Sequence, residues 1–204
     1  MEVLRCASLD ARLLVNILGN LQPADTLRSA EGRMRAIAAA LPCRGVLLAS
    51  TALWVHVGGP PPNSLEVSLP GGRRSRLPYL VTKRGRLPHC DTTVIGGITC
   101  ATIARAAVDI ARLGTPVQAV QAILTARNHG VSRVRLLLTL NHCRGAASRG
   151  CPRAQHIIED ANGYRDEVVS RAKGEADRFT KLVAEYRKAQ PAWETVIDLD
   201  ALGD

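Results

Sequence analysis

Asp91-Thr92-Thr93-Val94-Ile95-Gly96-Gly97-Ile98-Thr99, and then Ile103-Ala104-Arg105-Ala106-Ala107-Val108-Asp109-Ile110-Ala111-Arg112-Leu113, is the stretch around which most of the chain is organised. Its first half is β-branched and suits a pleated, buried surface. Gly96-Gly97 punctuates the run, Ile98 and Thr99 resume it, and a helix follows. On that helix Ile103, Ala107, Ile110 and Gly114 fall at i, i+4, i+7 and i+11, a narrow apolar stripe. Arg105, Asp109 and Arg112 lie on the other side, where Arg105 and Asp109 can pair for ~0.2–0.5 kcal/mol. The segment from Leu65 to Leu140 is expected to pack on this αβ unit.

With 204 residues, 46% of them hydrophobic and 3% aromatic, the chain has enough apolar material for a core built of Leu, Val, Ile and Ala. Its six cysteines have no regular spacing and no CxxC, and Met1-Glu2-Val3-Leu4-Arg5-Cys6 starts no long apolar run. Reduced thiols in the cytoplasm are therefore expected. The longest apolar region, Ala36 to Val57, is broken by Pro42, Arg44 and His56, so no direct membrane span is expected. Any membrane association would run through a partner.

Charge is divided unevenly. From Arg153 onward 8 Lys+Arg face 11 Asp+Glu, a net of −3, which leaves 19 against 7 in residues 1–152, a net of +12. Such a split separates a part suited to polyanions from a part suited to other proteins. The plainer reading is that the arginines form a solvated surface.

Leu9, Leu13, Leu14, Ile17, Leu18 and Leu21 make a helical stripe, ended by Gly19-Asn20 and Pro23. A second helix is expected from Asp25 or Ser29 to Leu41, stopped by Pro42. Val46 to Val57 is compatible with a buried helix or a strand, and Ala49-Ser50-Thr51-Ala52-Leu53-Trp54 favours a short helix. Pro60-Pro61-Pro62 stiffens the next loop, which lacks the lysine of a phosphate loop. Leu65, Val67 and Leu69 alternate with Glu66 and Ser68 as a half-buried strand, with Tyr79 to Thr82 as its expected hairpin partner. Thr115 caps a helix with Pro116 at its first position, and Val131 to Leu140 is one more helix.

Residues 153–189 are a long amphipathic helix with an eleven-residue repeat: Ala161/Ala172/Val183, Gly163/Gly174, Asp166/Asp177 and Ile157/Val168/Phe179. Eleven residues over three turns is ~3.67 per turn, which drifts right-handed along a seam. Ile157, Ala161, Val168, Ala172, Phe179 and Val183 are the expected oligomerisation residues.

Three groups of residues bear on chemistry. Arg73, Arg74, Arg76, Lys83, Arg84 and Arg86 flank the expected hairpin with two basic turns suited to a phosphate backbone, without the aromatics of a stacking platform. His89-Cys90, His142-Cys143 and Cys151 lack the close ligand pairs of a zinc site, so no metal is expected. Asp91, Asp109 and Glu66 stand apart from any nucleophile in sequence. Gly-x-Ser-x-Gly, His-Glu-x-x-His and a dinucleotide fingerprint are all absent, so no catalytic residue and no cofactor is expected.

Ser50-Thr51-Ala52-Leu53-Trp54-Val55-His56, Leu65-Glu66-Val67, Thr93-Val94-Ile95-Gly96-Gly97-Ile98-Thr99 and Arg105-Ala106-Ala107-Val108-Asp109 resemble the antitoxin of AbiEi-type (type IV) toxin–antitoxin systems. Alanine stands where that family's Arg-Thr-x-x-Asp step has threonine. The resemblance implies a non-enzymatic antitoxin that counters a nucleotidyltransferase toxin and represses its own operon by binding DNA. It also implies an N-terminal winged helix, for which Leu9 to Leu41 offers two helices and no clear wing. Separately, Ala161-Asn162-Gly163-Tyr164-Arg165-Asp166-Glu167-Val168 and Arg171-Ala172-Lys173-Gly174-Glu175-Ala176-Asp177-Arg178-Phe179 resemble the C-terminal helix of HflK-type proteins of the stomatin/prohibitin (SPFH) group. That likeness implies a scaffold helix that packs beside copies of itself and regulates a membrane protease.

The expected architecture is α+β: a small mixed sheet with packed helices, followed by one long C-terminal amphipathic helix. Residues 1–45 are read as an N-terminal helical segment, 46–150 as the antitoxin-like domain, 153–190 as the long helix and 191–204 as an acidic tail. The expected partners are a cognate toxin, DNA, and further copies of the chain.

Overall fold

Leu18 and Gly19 decide the first element. In the computed structural model, which describes residues 13–42, 45–72, 74–83, 87–143 and 150–200, both take positive φ (52° and 87°). That is the conformation of a two-residue hairpin turn whose twist matches its strands. Asn16 Oδ1 accepts from Gly19 N–H at 2.9 Å and closes the turn. Strand β1 (Leu14–Ile17) and β2 (Asn20–Pro23) pair antiparallel on either side. The helix expected from the leucine spacing is thus a hairpin. Leu9 lies outside the described residues; among the described members of that stripe Ile17 alone is fully buried, while Leu13 and Leu21 face solvent, so the spacing serves no helical face.

Asp25 and Ser29, the two expected starts of the next helix, each cap an element. Asp25 caps a 3-10 turn at Thr26–Arg28, and Ser29 Oγ accepts from Gly32 N–H at the start of α1 (Ala30–Ala38). Strand β3 (Val46–Leu47) leads into α2 (Ala49–Val57), so both readings of that apolar run hold in turn. Arg33 of α1 is buried against the end of α2. Its Nε donates to the Val55 carbonyl at 2.9 Å and its Nη2 to that of His56 at 3.0 Å. Both carbonyls lie in a last helical turn, where the backbone has no partner of its own. Burial lowers the pKa of this guanidinium from its ordinary value.

Strand β4 (Leu65–Ser68) buries Leu65 and Val67 and half-exposes Glu66 and Ser68, as its alternation demands. Strand β5 (Leu80–Thr82) lies beside it but runs parallel, with Leu65 opposite Leu80. The expected hairpin is therefore not formed. The connection from Leu69 to Tyr79 is long enough to carry the chain back to the start of β4. There Leu65 N–H donates to the Tyr79 carbonyl at 2.7 Å. After a 3-10 turn at His89–Asp91, β6 (Thr92–Ile95) and β7 (Ile98–Ala101) form an antiparallel hairpin. Gly96 and Gly97 make its turn, both at positive φ. The sheet order is β5-β4-β3-β7-β6, with β3 and β7 parallel.

Helices α3 (Ile103–Leu113), α4 (Pro116–Asn128) and α5 (Arg133–Asn141) follow, capped by Thr102, Thr115 and Ser132. Thr115 and Gln118 satisfy each other's backbone in a capping box. Helix α3 divides two cores. Ala106 belongs to the sheet-side core with Leu47, Val55 and Val67; Ala107, Val108 and Ala111 belong to another with Ile123 and Leu136. Its neighbours therefore enclose α3 on most of its circumference. Alanines on α3 and α4 let the two backbones approach closely.

The last helix, α6, spans Cys151–Asp200. Ala154, Ile158 and Ala161 are buried in the second core, so the body runs through Ala161 rather than ending near residue 150. Half-buried Ile157 packs against the same core, so Ile157 and Ala161, two of the expected oligomerisation residues, make contacts within the body. Residues 162–204 make a second unit. Within it Phe179, Leu182 and Tyr186 are exposed, at i, i+3 and i+7, and a Cβ at Gly163 or Gly174 would meet nothing within 4 Å. The side chains of Val168 and Ala172 lie outside the described ones, and Val183 is half-buried. The fold is α+β, with a small mixed sheet, packed helices and one long C-terminal helix. No helix among the described residues is long and apolar enough to cross a membrane.

Candidate functional site

Four charged residues meet where α3 passes the turn before β6. Asp91 is completely buried, and Arg105, Asp109 and Arg112 are each less than 9% exposed. Arg105 Nη1 donates to Asp91 Oδ2 at 3.1 Å and its Nε to Asp109 Oδ2 at 2.9 Å. Arg112 Nη1 reaches Asp109 Oδ1 at 3.2 Å. One guanidinium fork thus spans two carboxylates, a task for which the compact ammonium of lysine has no geometry. Burial alone would lower the pKa of Arg105, but the charge and hydrogen bond of Asp109, joined by Asp91, raise it. The side of α3 opposite the expected apolar stripe, which carries Arg105, Asp109 and Arg112, is therefore interior. Removing one member of such a buried network leaves an uncompensated charge and costs ~3–5 kcal/mol, an order of magnitude above the exposed-pair value.

The network opens outward through His142, just past the end of α5. Its Nδ1 lies 3.1 Å from each oxygen of Asp91. Cys90 Sγ lies 3.8 Å from the same nitrogen and 3.9 Å from Asp91 Oδ1. Arg135 Nη2 holds the Cys90 carbonyl at 2.5 Å. A thiol and a carboxylate on adjacent residues therefore meet an imidazole more than fifty residues further along the chain, a grouping whose one signal in the sequence was the separate His-Cys pairs. His89, Cys143 and Cys151 do not join it. Cys143 is buried, donates to the Thr139 carbonyl, and has its pKa raised chiefly by burial. The arrangement is not a Cys-His-Asp relay. A relay sets the nucleophile on one ring nitrogen and the carboxylate on the other, whereas here thiol and carboxylate share Nδ1.

A second polar cluster sits at the start of α2. Glu66 Oε2 accepts from Ser50 N–H at 2.8 Å and from Ser50 Oγ at 2.6 Å, capping the helix, while Oε1 pairs with Lys83. Burial would raise the Glu66 pKa, but the bonds from Lys83 and Ser50 hold it below the ordinary value. Beside this cluster lies a cleft of about 630 Å³ lined by Leu53, Trp54, Val57, Ile110 and Gln118 among others.

The expected basic surface is only partly visible. Arg74 and Arg76 are exposed. Lys83 is committed to Glu66, and Arg73, Arg84 and Arg86 lie outside the described residues. Cys90, Cys100, Cys143 and Cys151 are free thiols, that of Cys100 pushed up to about 12 by burial.

No family model matches the chain, and no curated protein or solved structure matches it either.

Proposed function

We propose that the chain is a non-catalytic regulatory protein of the AbiEi-antitoxin kind, which binds DNA through its basic body and counters a nucleotidyltransferase toxin. The observation that carries this reading is the separation of charge. The residues of the Arg105–Asp109 step are spent on internal pairing, while Arg74 and Arg76 stand in solvent within residues 1–152, whose net charge is +12. The stretch that carries the family resemblance then serves as a frame, and recognition belongs to the surface it holds.

The test is retention of the full chain on duplex DNA as salt is raised. Each phosphate contact contributes about 0.9 to the slope of log affinity against log salt. Substituting Arg74 and Arg76 by Ala should lower that slope by about 2 and leave the urea unfolding midpoint unchanged. Binding that does not respond to salt would contradict the electrostatic reading. Rescue of cells expressing a cognate nucleotidyltransferase tests the antitoxin part separately.

A second reading, a scaffold that assembles through the HflK-like helix and regulates a membrane protease, is favoured by the exposed row Phe179, Leu182 and Tyr186. Light scattering of the full chain and of a chain cut after Ala161 distinguishes it. A cut at residue 153 would remove Ala154 and Ile158 from the body's core. A monomer in both cases eliminates assembly.

A further inference from the structure

Cys90, Asp91 and His142 bring a thiol, a carboxylate and an imidazole together at one point, and none of the three belongs to the basic residues invoked for DNA. We propose that these three side chains form a binding site for a single divalent ion of the zinc class, with Cys90 Sγ, Asp91 Oδ1 and His142 Nδ1 as ligands and solvent in the fourth position.

The three donor atoms all lie within 4.8 Å of one another. Zinc binds thiolate sulfur at ~2.3 Å and imidazole nitrogen or carboxylate oxygen at ~2.0–2.2 Å in a tetrahedron. The edges of such a tetrahedral face are about 3.6 Å from sulfur to either lighter donor and about 3.3 Å from nitrogen to oxygen. The observed edges are 3.8, 3.9 and 3.1 Å. The triangle is therefore set to within a few tenths of an ångström of what the ion requires.

Charge and support agree with this assignment. A thiolate and a carboxylate oppose the two charges of the ion, and Asp109, which Arg105 shares with Arg112, offsets part of the guanidinium charge behind the site. Asp91 Oδ2 stays fixed by Arg105 Nη1, leaving Oδ1 for the ion, and Arg135 holds the backbone of Cys90. Hydrogen bonds of this kind orient ligands from behind. Cys90 and His142 are exposed, so an ion has a path in and a coordination position facing water. The mixed sulfur, nitrogen and oxygen set suits Zn²⁺ or Co²⁺ and excludes a preference for Mg²⁺, which takes an all-oxygen octahedron.

The full chain, stripped with chelator and dialysed, is titrated with Co²⁺ alone and then displaced with Zn²⁺ alone. The expected result is a thiolate-to-cobalt charge-transfer band that saturates at one equivalent, bleaches with Zn²⁺ and is indifferent to excess Mg²⁺. The band should vanish in Cys90→Ala, weaken in His142→Ala and survive in Cys151→Ala. Affinity should fall by about 10-fold or more in Arg135→Ala, which loosens a ligand from behind. Zn²⁺ should raise the Tm of the wild-type chain and not that of Cys90→Ala, a readout that also registers whether each variant folds. A band that persists in folded Cys90→Ala, a titration that does not saturate, or displacement by Mg²⁺ would overturn the assignment. None of these outcomes bears on DNA retention, so this site and the regulatory reading fail independently.

Discussion

The body and the C-terminal helix each carry an arginine four residues from an acid, and the two pairs differ almost entirely in what they do. Arg105 and Asp109 meet at 2.9 Å with side chains about a tenth exposed; Arg171 and Glu167 meet at 2.8 Å with side chains two-thirds exposed. Distance and spacing are nearly equal, so the environment sets the difference. In water the gain from the second pair is offset by screening and by lost side-chain freedom. In the interior the charges cannot fall back on solvent, and each depends on the other. Asp91, brought in from outside the helix, makes the dependence mutual among three groups.

The largest effect expected from this comparison is on Arg105→Ala, which leaves buried Asp91 with no guanidinium and Asp109 with Arg112 alone, and should cost ~3–5 kcal/mol in urea unfolding. Acid should have a smaller, graded effect. Burial, aided by the charge of Arg33 and opposed by the bond to the Ala101 carbonyl, lowers the pKa of His56 in the folded chain. The unfolded chain therefore takes up that proton first, and stability should begin to fall as pH drops below the ordinary histidine value of about 6.5. Glu66 acts in the same direction at lower pH. Its folded pKa is depressed, so its contribution is present above the ordinary value of about 4.3 and disappears as pH falls through the folded one. Tm measured against pH should show both limbs, and His56→Gln should remove only the upper. The smallest effect belongs to Arg171→Ala, at ~0.2–0.5 kcal/mol in thermal unfolding of the helix and declining with salt.

Local signals were legible where local chemistry decides. Ser29 and Thr115 cap the helices they were expected to cap, and Leu65 and Val67 face the core as their alternation requires. The hairpin at Leu14–Pro23 was hidden because leucines three and four apart satisfy a helical count even when, of the described stripe residues, Ile17 alone is fully buried and Leu18 only packs against the core from a half-buried position. The direction of β5 was hidden for a different reason. Pro70-Gly71-Gly72 signals a turn, but how far the chain travels afterwards depends on the packing of the whole connection to Tyr79.

The charged site was the least legible part. A helix with alanine on one side and Arg105, Asp109 and Arg112 on the other reads as half-solvated. Only the arrival of the β6 turn, α5 and the first turns of α6 encloses the charged side. Likewise, Cys90 and His142 are ligands in pairs too far apart for any spacing rule, and the fold alone brings them into one triangle.

The most direct test of the central claim, that the Arg105 charge network is part of the body's interior structure, is a double-mutant cycle on Arg105→Ala and Asp109→Ala in urea. The network described here requires a coupling energy above ~1.5 kcal/mol, within the range for groups sharing one buried network. A coupling no greater than the ~0.5 kcal/mol of an exposed helical pair would contradict it.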